Sequence, residues 1–323
     1  MEGATGTEKP VAPASDGTST RGRNHRSEPS AEGIFLCLPT GHTKCNDDEP
    51  KTHEGTAMSG TNGRPSLPVV KAAGAQEFSG EGVTWASSIN AETAGCDEFE
   101  FGSGRLLPGA SSRITPENQF DEASEESVAM IVGGVATVTV DGNRRDLSAP
   151  DCLFVPAGAS YAFENAGDDP VDFLWGAATT EKPPLLGDCT SIDHEGTAQV
   201  IKTIADVDAN VTIEPGDTVR HWPAVFPETA GSEHLNIGLF RRPPGSSVRM
   251  HQHDPVTITE AFTVVEGTLL VRDHDGTEHV LEPGDFLYVP EYGMHNNKNV
   301  GTDDVLYACL ETPARSRDIT PMQ

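Results

Sequence analysis

Four side chains in the last third of the sequence could bind a metal ion together. His251 and His253 stand one residue apart in RMHQHDP, Glu260 follows seven residues later, and His295 lies in EYGMHNN. Side chains of an extended strand alternate between two faces, so His251 and His253 point to the same side. Three imidazoles and one carboxylate leave open positions on a divalent first-row metal, which metal-assisted catalysis requires. The sequence therefore predicts a catalytic metal site.

Separate strands must bring these ligands to one point. A loop through Asp254 and Pro255 allows Glu260, on the next strand, to reach the point where the two imidazoles converge. The segment GDFLYVPEYGMHNN places His295 on a further strand after a Pro-Glu-Tyr-Gly turn. Each ligand is thus expected on a strand or at the end of one.

Few charged or amide side chains are expected beside the metal. Arg249 lies two residues before His251 and shares its face, so we predict that Arg249 contacts a substrate carboxylate or enolate oxygen, with a salt bridge at the rim as the alternative. Of Arg241 and Arg242, only one can face inward on a strand. Asn299, four residues after His295, is a further candidate.

The strands belong to a pattern that occurs twice. Short apolar runs separated by turns begin at about residue 78, and Asp-Gly pairs at 141–142 and 275–276 signal hairpins. This spacing predicts an all-β sandwich or barrel. A constant offset of 134 relates four pairs of identical residues: Glu126 and Glu260, Gly133 and Gly267, Pro156 and Pro290, Asn165 and Asn299. The repeat predicts two domains of the same fold.

The motifs resemble those of the cupin superfamily, G-x5-H-x-H-x3,4-E-x6-G and G-x5-P-x-G-x2-H-x3-N. The matching residues are Gly245, His251, His253, Glu260 and Gly267 for the first motif, and Gly284, Pro290, His295 and Asn299 for the second. Six residues separate His253 from Glu260 instead of three or four, and Gly293 stands one place late. The resemblance implies two tandem jelly-roll β-barrels, with one divalent metal ion held by His251, His253, Glu260 and His295 in the second.

The first barrel is expected to lack this site. The offset places Glu117, Gln119 and Tyr161 at the positions of the three histidines, and Glu126 at that of Glu260. No imidazole is present in this set. We expect the first barrel to serve folding and packing, with a small-molecule pocket as the alternative.

The repeat sets the predicted domain boundaries. Residues 1–65 are rich in Gly, Ser, Thr, Pro and charge, and are predicted to be a disordered extension, within which Met58 is an alternative translation start. The first barrel is predicted at 78–180, a linker at 181–215 and the second barrel at 216–315.

Charge and cysteine usage restrict the partners and the compartment. Lys and Arg total 22 against 50 Asp and Glu, a net charge of -28 that repels nucleic acid and anionic membranes. Only seven residues are Lys, which favours a protein of a salt-loving organism over an ordinary acidic cytosolic protein. Six scattered cysteines form no C-x-x-C pair, and no apolar run reaches 18 residues. We expect a cytoplasmic protein with a small-molecule substrate, and the family resemblance implies a homodimer.

The reaction is open to several interpretations. Imidazole and carboxylate ligands favour Fe(II) or Mn(II), with Ni(II), Co(II) or Zn(II) as alternatives. From the resemblance we predict a dioxygenase of a small aromatic or oxygen-bearing organic acid. The alternatives are a decarboxylase or aminohydrolase of a small acid or ureide, and a non-catalytic metal- or ligand-binding protein.

Overall fold

The computed structural model describes residues 64–112, 125–179, 182–201 and 219–316. Their regular structure is almost entirely β, with one short helix, α1 (Pro227–Ala230), and one 3-10 turn (Ala72–Gly74). No helix of this part of the chain has the length and apolarity needed to cross a bilayer. The disordered extension predicted at residues 1–65 lies outside the described residues, except for residues 64 and 65.

The first twelve strands lie before residue 202 and the other nine after residue 219. The former are β1 (Val69–Val70), β2 (Gln76–Gly80), β3 (Val83–Ile89), β4 (Phe99–Leu106), β5 (Ser111–Ser112), β6 (Ser127–Gly133), β7 (Val135–Val140), β8 (Asn143–Ser148), β9 (Cys152–Val155), β10 (Ala162–Glu164), β11 (Val171–Ala178) and β12 (Gln199–Ile201). The latter are β13 (Arg220–Val225), β14 (Asn236–Arg242), β15 (His251–Gln252), β16 (Thr259–Glu266), β17 (Leu269–Asp273), β18 (Glu278–Leu281), β19 (Phe286–Val289), β20 (Met294–Asn299) and β21 (Val305–Thr312).

Each barrel is made of one large and one small antiparallel sheet. In the first barrel the orders are β12-β9-β6-β11-β4-β3-β2 and β5-β10-β7-β8. In the second barrel they are β1-β19-β16-β21-β14-β13 and β15-β20-β17-β18. The prediction of an all-β chain with two tandem jelly-roll barrels is confirmed.

The large sheets of the two barrels pack against each other. Phe99 and Phe101 of β4 contact Tyr288 and Phe286 of β19 edge to face, with ring centroids 5.9 and 5.1 Å apart. Gly176 lies at this interface, where a Cβ atom would stand 2.2 Å from Leu310 Cδ1. The central strands of each large sheet, β6 and β11 in the first barrel and β16 and β21 in the second, are therefore largely buried on both faces.

The segment before the first barrel belongs to the second barrel. Val69 of β1 pairs with Leu287 of β19, and Leu67 is buried in the apolar core of the second barrel. Lys71 Nζ lies 2.7 Å from Asp285 Oδ2, and extends the same contact. Residues 64–71, called the N-terminal arm below, thus complete a sheet whose other strands lie after residue 219.

The repeat is visible in equivalent hydrogen bonds. Asn165 Nδ2 donates to the carbonyls of Leu106 (3.0 Å) and Asp169 (2.8 Å). Asn299 Nδ2 donates to those of Arg242 and Asp303, both at 2.8 Å. Each asparagine links the turn that follows it to a neighbouring strand. The Asn299 amide is therefore used in stabilising the barrel and does not contact a metal.

The predicted equivalences of Glu126 with Glu260 and of Gly133 with Gly267 are each wrong by one residue, and Gly134 is the counterpart of Gly267. Val155 pairs with Ser127, whereas its counterpart Val289 pairs with Glu260, so Ser127 occupies the position of Glu260. The shift arises because the next hairpin of the second barrel is one residue longer: Leu269 pairs with Leu281, 12 positions on, and Ala136 with Leu147, 11 positions on.

Glu126 consequently faces the second barrel. Its Oε2 accepts from the backbone N–H of Glu233 at 2.8 Å, and its Oε1 accepts from those of His234 (3.2 Å) and Leu235 (3.0 Å). All three donors lie in the segment just before β14. Glu126 therefore links the first barrel to the start of this strand in the second barrel.

Candidate metal centre

The three predicted histidines converge inside the second barrel. His251 of β15 pairs with His295 of β20, and their rings lie 4.2 Å apart. The ring of His253, just after β15, lies 5.8 Å from that of His251 and 5.5 Å from that of His295. One nitrogen of each ring lies within 4.8 Å of the others, so a single ion can reach all three.

Glu260 supplies the carboxylate. The strand β16 turns Glu260 and Phe262 toward the barrel interior and Ala261 toward the first barrel, as alternation requires. Glu260 Oε2 lies 3.1 Å from His253 Nε2 and 3.4 Å from His295 Nε2. The four side chains are 5%, 5%, 6% and 1% exposed in the order His251, His253, Glu260, His295. Four donors therefore surround one buried point.

Backbone carbonyls fix two of the imidazoles. His251 Nδ1 lies 3.0 Å from the Arg249 carbonyl, and His253 Nδ1 lies 3.3 Å from the Ile258 carbonyl. A carbonyl can only accept, so each Nδ1 carries the proton and each Nε2 presents its lone pair to the centre. This is the tautomer in which histidine binds a metal through Nε2.

The centre also sets the charges of its own members. Burial, with repulsion from His295, lowers the pKa of His251 to about 3. Burial likewise lowers the pKa of His295, against the attraction of Glu260. For His253 burial is outweighed by the Glu260 carboxylate, which raises the pKa of that imidazole. Burial would raise the pKa of Glu260, but His253 and His295 hold it well below its usual range. Because a metal binds the neutral imidazole, protonation of His253 and binding of a divalent ion at this centre would compete.

A second layer of buried groups holds Glu260 from behind. The Cys309 thiol contacts Glu260 Oε1, and burial with the nearby carboxylates raises the pKa of Cys309 well above its usual value, so the thiol donates. Beside it, Glu311 Oε2 lies 2.7 Å from Arg315 Nε. Cys309, Glu260 and Glu311 also form a group of donor atoms within 4.8 Å of one another.

The sequence reasoning missed Cys309 and Glu311. Both lie on β21, which pairs with β16 so that Glu311 stands opposite Glu260. The alternation in YACLE, read as a strand, places Cys309 and Glu311 on one face, and this was the available signal.

The donor set fits a divalent metal ion. Oε2 of Glu260 is buried and has no hydrogen-bond partner among the described residues, and the Nε2 atoms of His253 and His295 face it. Three imidazoles and one carboxylate suit several first-row ions and do not select one. The residues that would hold the ion are His251, His253, Glu260 and His295.

The interior beside the centre is aromatic. Phe262 lies 5.3 Å from the ring of His295, and Tyr307 lies 5.9 Å from Phe262. Arg242 is the arginine of the pair 241–242 that faces inward, and its Nε donates to Tyr307 Oη at 2.8 Å. Arg242 pairs with Val305, at the end of β14 away from Glu311. The inward arginine thus lies beyond the aromatic residues, away from the metal ligands.

Arg249 differs from its neighbours in burial. Its side chain is exposed, whereas its carbonyl orients His251. The backbone of Arg249 therefore supports the centre, and the predicted contact of its side chain with a substrate stays a prediction.

The first barrel has no equivalent centre in its described part. Tyr161, at the position of His295, packs against the apolar core, and Trp175, at that of Cys309, donates from Nε1 to the Ser103 carbonyl at 3.1 Å. Glu117 and Gln119 lie outside the described residues. Among those described, the first barrel contains no metal-binding group of His, Cys, Asp and Glu.

Comparisons with known proteins agree with this architecture. The family model described as "Cupin domain" matches residues 107–176 and 238–311. No curated protein has a matching sequence. Among solved structures, the putative glyoxylate induced protein from Pseudomonas aeruginosa is similar with a TM-score of 0.61 and 15% identity, over 86% of this chain and 97% of that one.

Two further similar structures are oxalate decarboxylases. That of Lactobacillus farciminis, a formate complex, has a TM-score of 0.56 and 14% identity over 77% of this chain and 87% of its own. That of Bacillus subtilis, described with Mn(II) centres, has a TM-score of 0.57 and 14% identity over 77% of this chain and 78% of its own. At these identities the likeness concerns the fold.

Proposed function

The chain is a bicupin of the cupin superfamily, and on that premise we propose that its second barrel is a mononuclear metal-dependent dioxygenase of a small, oxygen-bearing organic acid. The observation that carries the proposal is the convergence of three buried imidazoles and one buried carboxylate on a single point. On a six-coordinate ion such as Fe(II) or Mn(II), four protein ligands leave two positions for exogenous ligands, whereas they would close the site of a four-coordinate zinc ion.

The metal, when bound, would supply Lewis acidity and a site where an organic acid and dioxygen meet. In dioxygenation both oxygen atoms enter the organic product, so the substrate itself provides the electrons and no separate reductant is needed. Iron(II) or manganese(II) suits this donor set.

The protein residues have three tasks. The carbonyls of Arg249 and Ile258 hold the Nδ1 protons of His251 and His253 and keep each Nε2 directed inward. The Cys309 thiol holds one oxygen of Glu260 and leaves the other for the metal. The burial of all four ligands excludes bulk water, which strengthens electrostatic interactions at the centre.

The aromatic surroundings support an oxygen-dependent reaction. Phe262 and Tyr307 place apolar surface next to His295. Dioxygen is apolar, and an aromatic or enol-bearing substrate would pack against such a surface. The inward Arg242 is engaged with Tyr307 at the far end of β14.

Oxygen consumption tests the proposal. The Fe(II)-loaded protein is placed in an oxygen electrode with a panel of phenols, hydroxy acids and β-diketones. We expect at least one member to cause substrate-dependent uptake that disappears in His253→Ala. Absence of uptake with every member of the panel, by protein shown to contain one metal ion, would contradict the proposal.

A redox-neutral reaction on the same metal, decarboxylation or aminohydrolysis, is the second candidate. The observation that favours it is Asp273, which stands opposite His295 between β17 and β20. Burial and the neighbouring Asp275 raise the pKa of Asp273, and a carboxyl group of raised pKa can return a proton to a carbanion. Release of carbon dioxide or ammonia under strict exclusion of oxygen, lost in Asp273→Asn, would favour this reaction over dioxygenation.

A further inference from the structure

The inner face of the small sheet of the second barrel carries polar side chains next to the metal ligands. His295 stands opposite Asp273, Asn297 opposite Val271, and Val271 opposite His279. Val271 belongs to the apolar core of this barrel, and residues that pair across strands share a face. Asn297 and His279 therefore face the same interior as His295.

Two of these side chains have a buried polar atom that makes no hydrogen bond within the described chain. Asn297 is 4% exposed, and its Oδ1 is buried without a hydrogen bond to any described residue. The same is true of Nε2 of His279, whose nearest carboxylate oxygen, Asp273 Oδ2, lies 3.8 Å away, beyond hydrogen-bond distance. Buried polar groups are nearly always hydrogen-bonded, because leaving them unpaired is costly.

The unpaired amide is close to the metal centre. Asn297 lies two residues after His295 on the same face of β20, a separation of about 7 Å along a strand. We propose that Asn297 and His279 form a subsite that binds a hydroxyl or amino group of the substrate while its carboxylate is held at the metal centre. This inference rests on the proposed function, since it concerns the substrate of the same barrel.

Charge decides which polar group fits. The side chains that face inward from β17, β18 and β20 include no Lys or Arg, whereas Arg272 and Lys298 lie on the outward face. The inward Arg242 of β14 is engaged with Tyr307 Oη. A second carboxylate would thus meet Asp273 and Glu260 without a cation from the strands that form the subsite. A hydroxyl group both donates and accepts, as the Asn297 amide does. The subsite therefore selects a hydroxy or amino acid over a dicarboxylate of the same length.

Binding of three matched acids tests the subsite. The full-length, Mn(II)-loaded protein is titrated by calorimetry with 3-hydroxypropionate, propionate and malonate, which differ only at the end remote from the first carboxylate. We expect 3-hydroxypropionate to bind about tenfold more tightly than the other two, the usual effect of one well-placed hydrogen bond. Asn297→Leu should abolish this preference, and Asn296→Leu, on the outward face of the same strand, should retain it.

Failure of the subsite and failure of the proposed function give different results. Equal binding of the three acids by the wild type, as ordered water at Asn297 alone would produce, overturns the inference, and so does an Asn297→Leu protein that keeps the preference. His279→Leu, expected to weaken the preference severalfold, provides a second variant, and the thermal midpoint reports folding of each. If the wild type fails to bind Mn(II), the proposed function fails, whereas a metal-loaded, oxygen-consuming protein without the preference contradicts only the subsite.

Discussion

The two barrels of this chain share a fold and differ in what fills them. At corresponding positions the second barrel has His295, Glu260 and Cys309, and the first has Tyr161, Ser127 and Trp175. In the second barrel polar donors surround one point that suits a cation, and in the first aromatic and apolar side chains occupy the interior.

The shared features of the repeat therefore belong to the scaffold. Asn165 and Asn299 make the same hydrogen bonds in both barrels, and Gly134 and Gly267, with φ of 75° and 83°, allow the same close approach to the neighbouring strand. These residues are needed for folding irrespective of chemistry. The capacity to bind a metal depends on the positions that changed.

The sharpest test of this contrast removes a metal ligand from the second barrel and changes its counterpart in the first. His295→Ala should lower metal affinity by more than about 100-fold, because loss of a residue that merely supports a ligand already costs about 10- to 100-fold. Tyr161→Phe, its counterpart in the first barrel, should retain one metal ion per chain. Elemental analysis and calorimetric titration measure both, and equal metal loss in the two variants would break the distinction between the barrels.

Removing the hydrogen bonds of Glu126 between the two barrels should have a smaller but clear effect, on the stability of the fold. Glu126→Ala leaves three backbone N–H groups of residues 233–235 without their acceptor, and we expect the free energy of unfolding to fall by about 2 kcal/mol. Urea denaturation at pH 7 measures this. The neighbouring Glu125→Gln is the control and should change stability by about 1 kcal/mol or less. If both variants unfold alike, Glu126 has no special role at the interface.

The contact between the Cys309 thiol and Glu260 Oε1 can be tested by substitution of Cys309. Cys309→Ala removes the donor to Glu260 Oε1 and should lower metal affinity about tenfold, while Cys309→Ser should restore much of it. Cys152→Ala removes a buried thiol from the first barrel and controls for the loss of packing. Should Cys309→Ala bind the metal as tightly as Cys152→Ala, the thiol would contribute packing alone.

The smallest expected effect is a pH response of opposite sign in the two barrels. Burial, with the nearby Glu100, raises the pKa of Glu125 in the first barrel to about 7. Its contribution to stability is therefore present below the unfolded pKa of about 4.5 and is lost as the pH rises through about 7. His251, whose pKa falls to about 3, behaves oppositely: its contribution is present above about 6.5 and is lost as the pH falls toward 3.

Glu125→Gln should reveal this response in the first barrel. We expect the variant to be more stable than wild type by about 1 kcal/mol at pH 8, allowing for solvent screening of a partly exposed group, and unchanged near pH 4.5. Denaturation curves at the two pH values measure the difference. A variant less stable at pH 8 would show that the Glu125 carboxylate is stabilised instead.

Much of the centre could be predicted because strand alternation is local. The spacing of His251 and His253 fixes their common face, and the turn before His295 begins a new strand, so these residues met as the sequence predicts. Long-range register was less accessible: a single extra residue in one hairpin moved the counterpart of Glu260 from Glu126 to Ser127. The shift shows in the sequence only when Gly134, and not Gly133, is matched with Gly267, because six residues then precede Asp141 and seven precede Asp275.

Contacts between distant segments were also beyond the sequence. That Cys309 touches Glu260 depends on how β21 lies beside β16, and that Arg242 rather than Arg241 faces inward depends on the position of β14 in the sheet. The two valines of β1 are too few to indicate their partner strand. In each case packing between segments far apart in the chain decides the outcome.

The N-terminal arm gives the order of synthesis a particular significance. Lys71 leaves the ribosome 214 residues before its partner Asp285. The N-terminal arm therefore has no partner strand while the first barrel is being synthesised. The large sheet of the second barrel can be completed by β1 only after β19 has been synthesised. Nascent chains that stop before β19 would thus leave β1 without its partner strand.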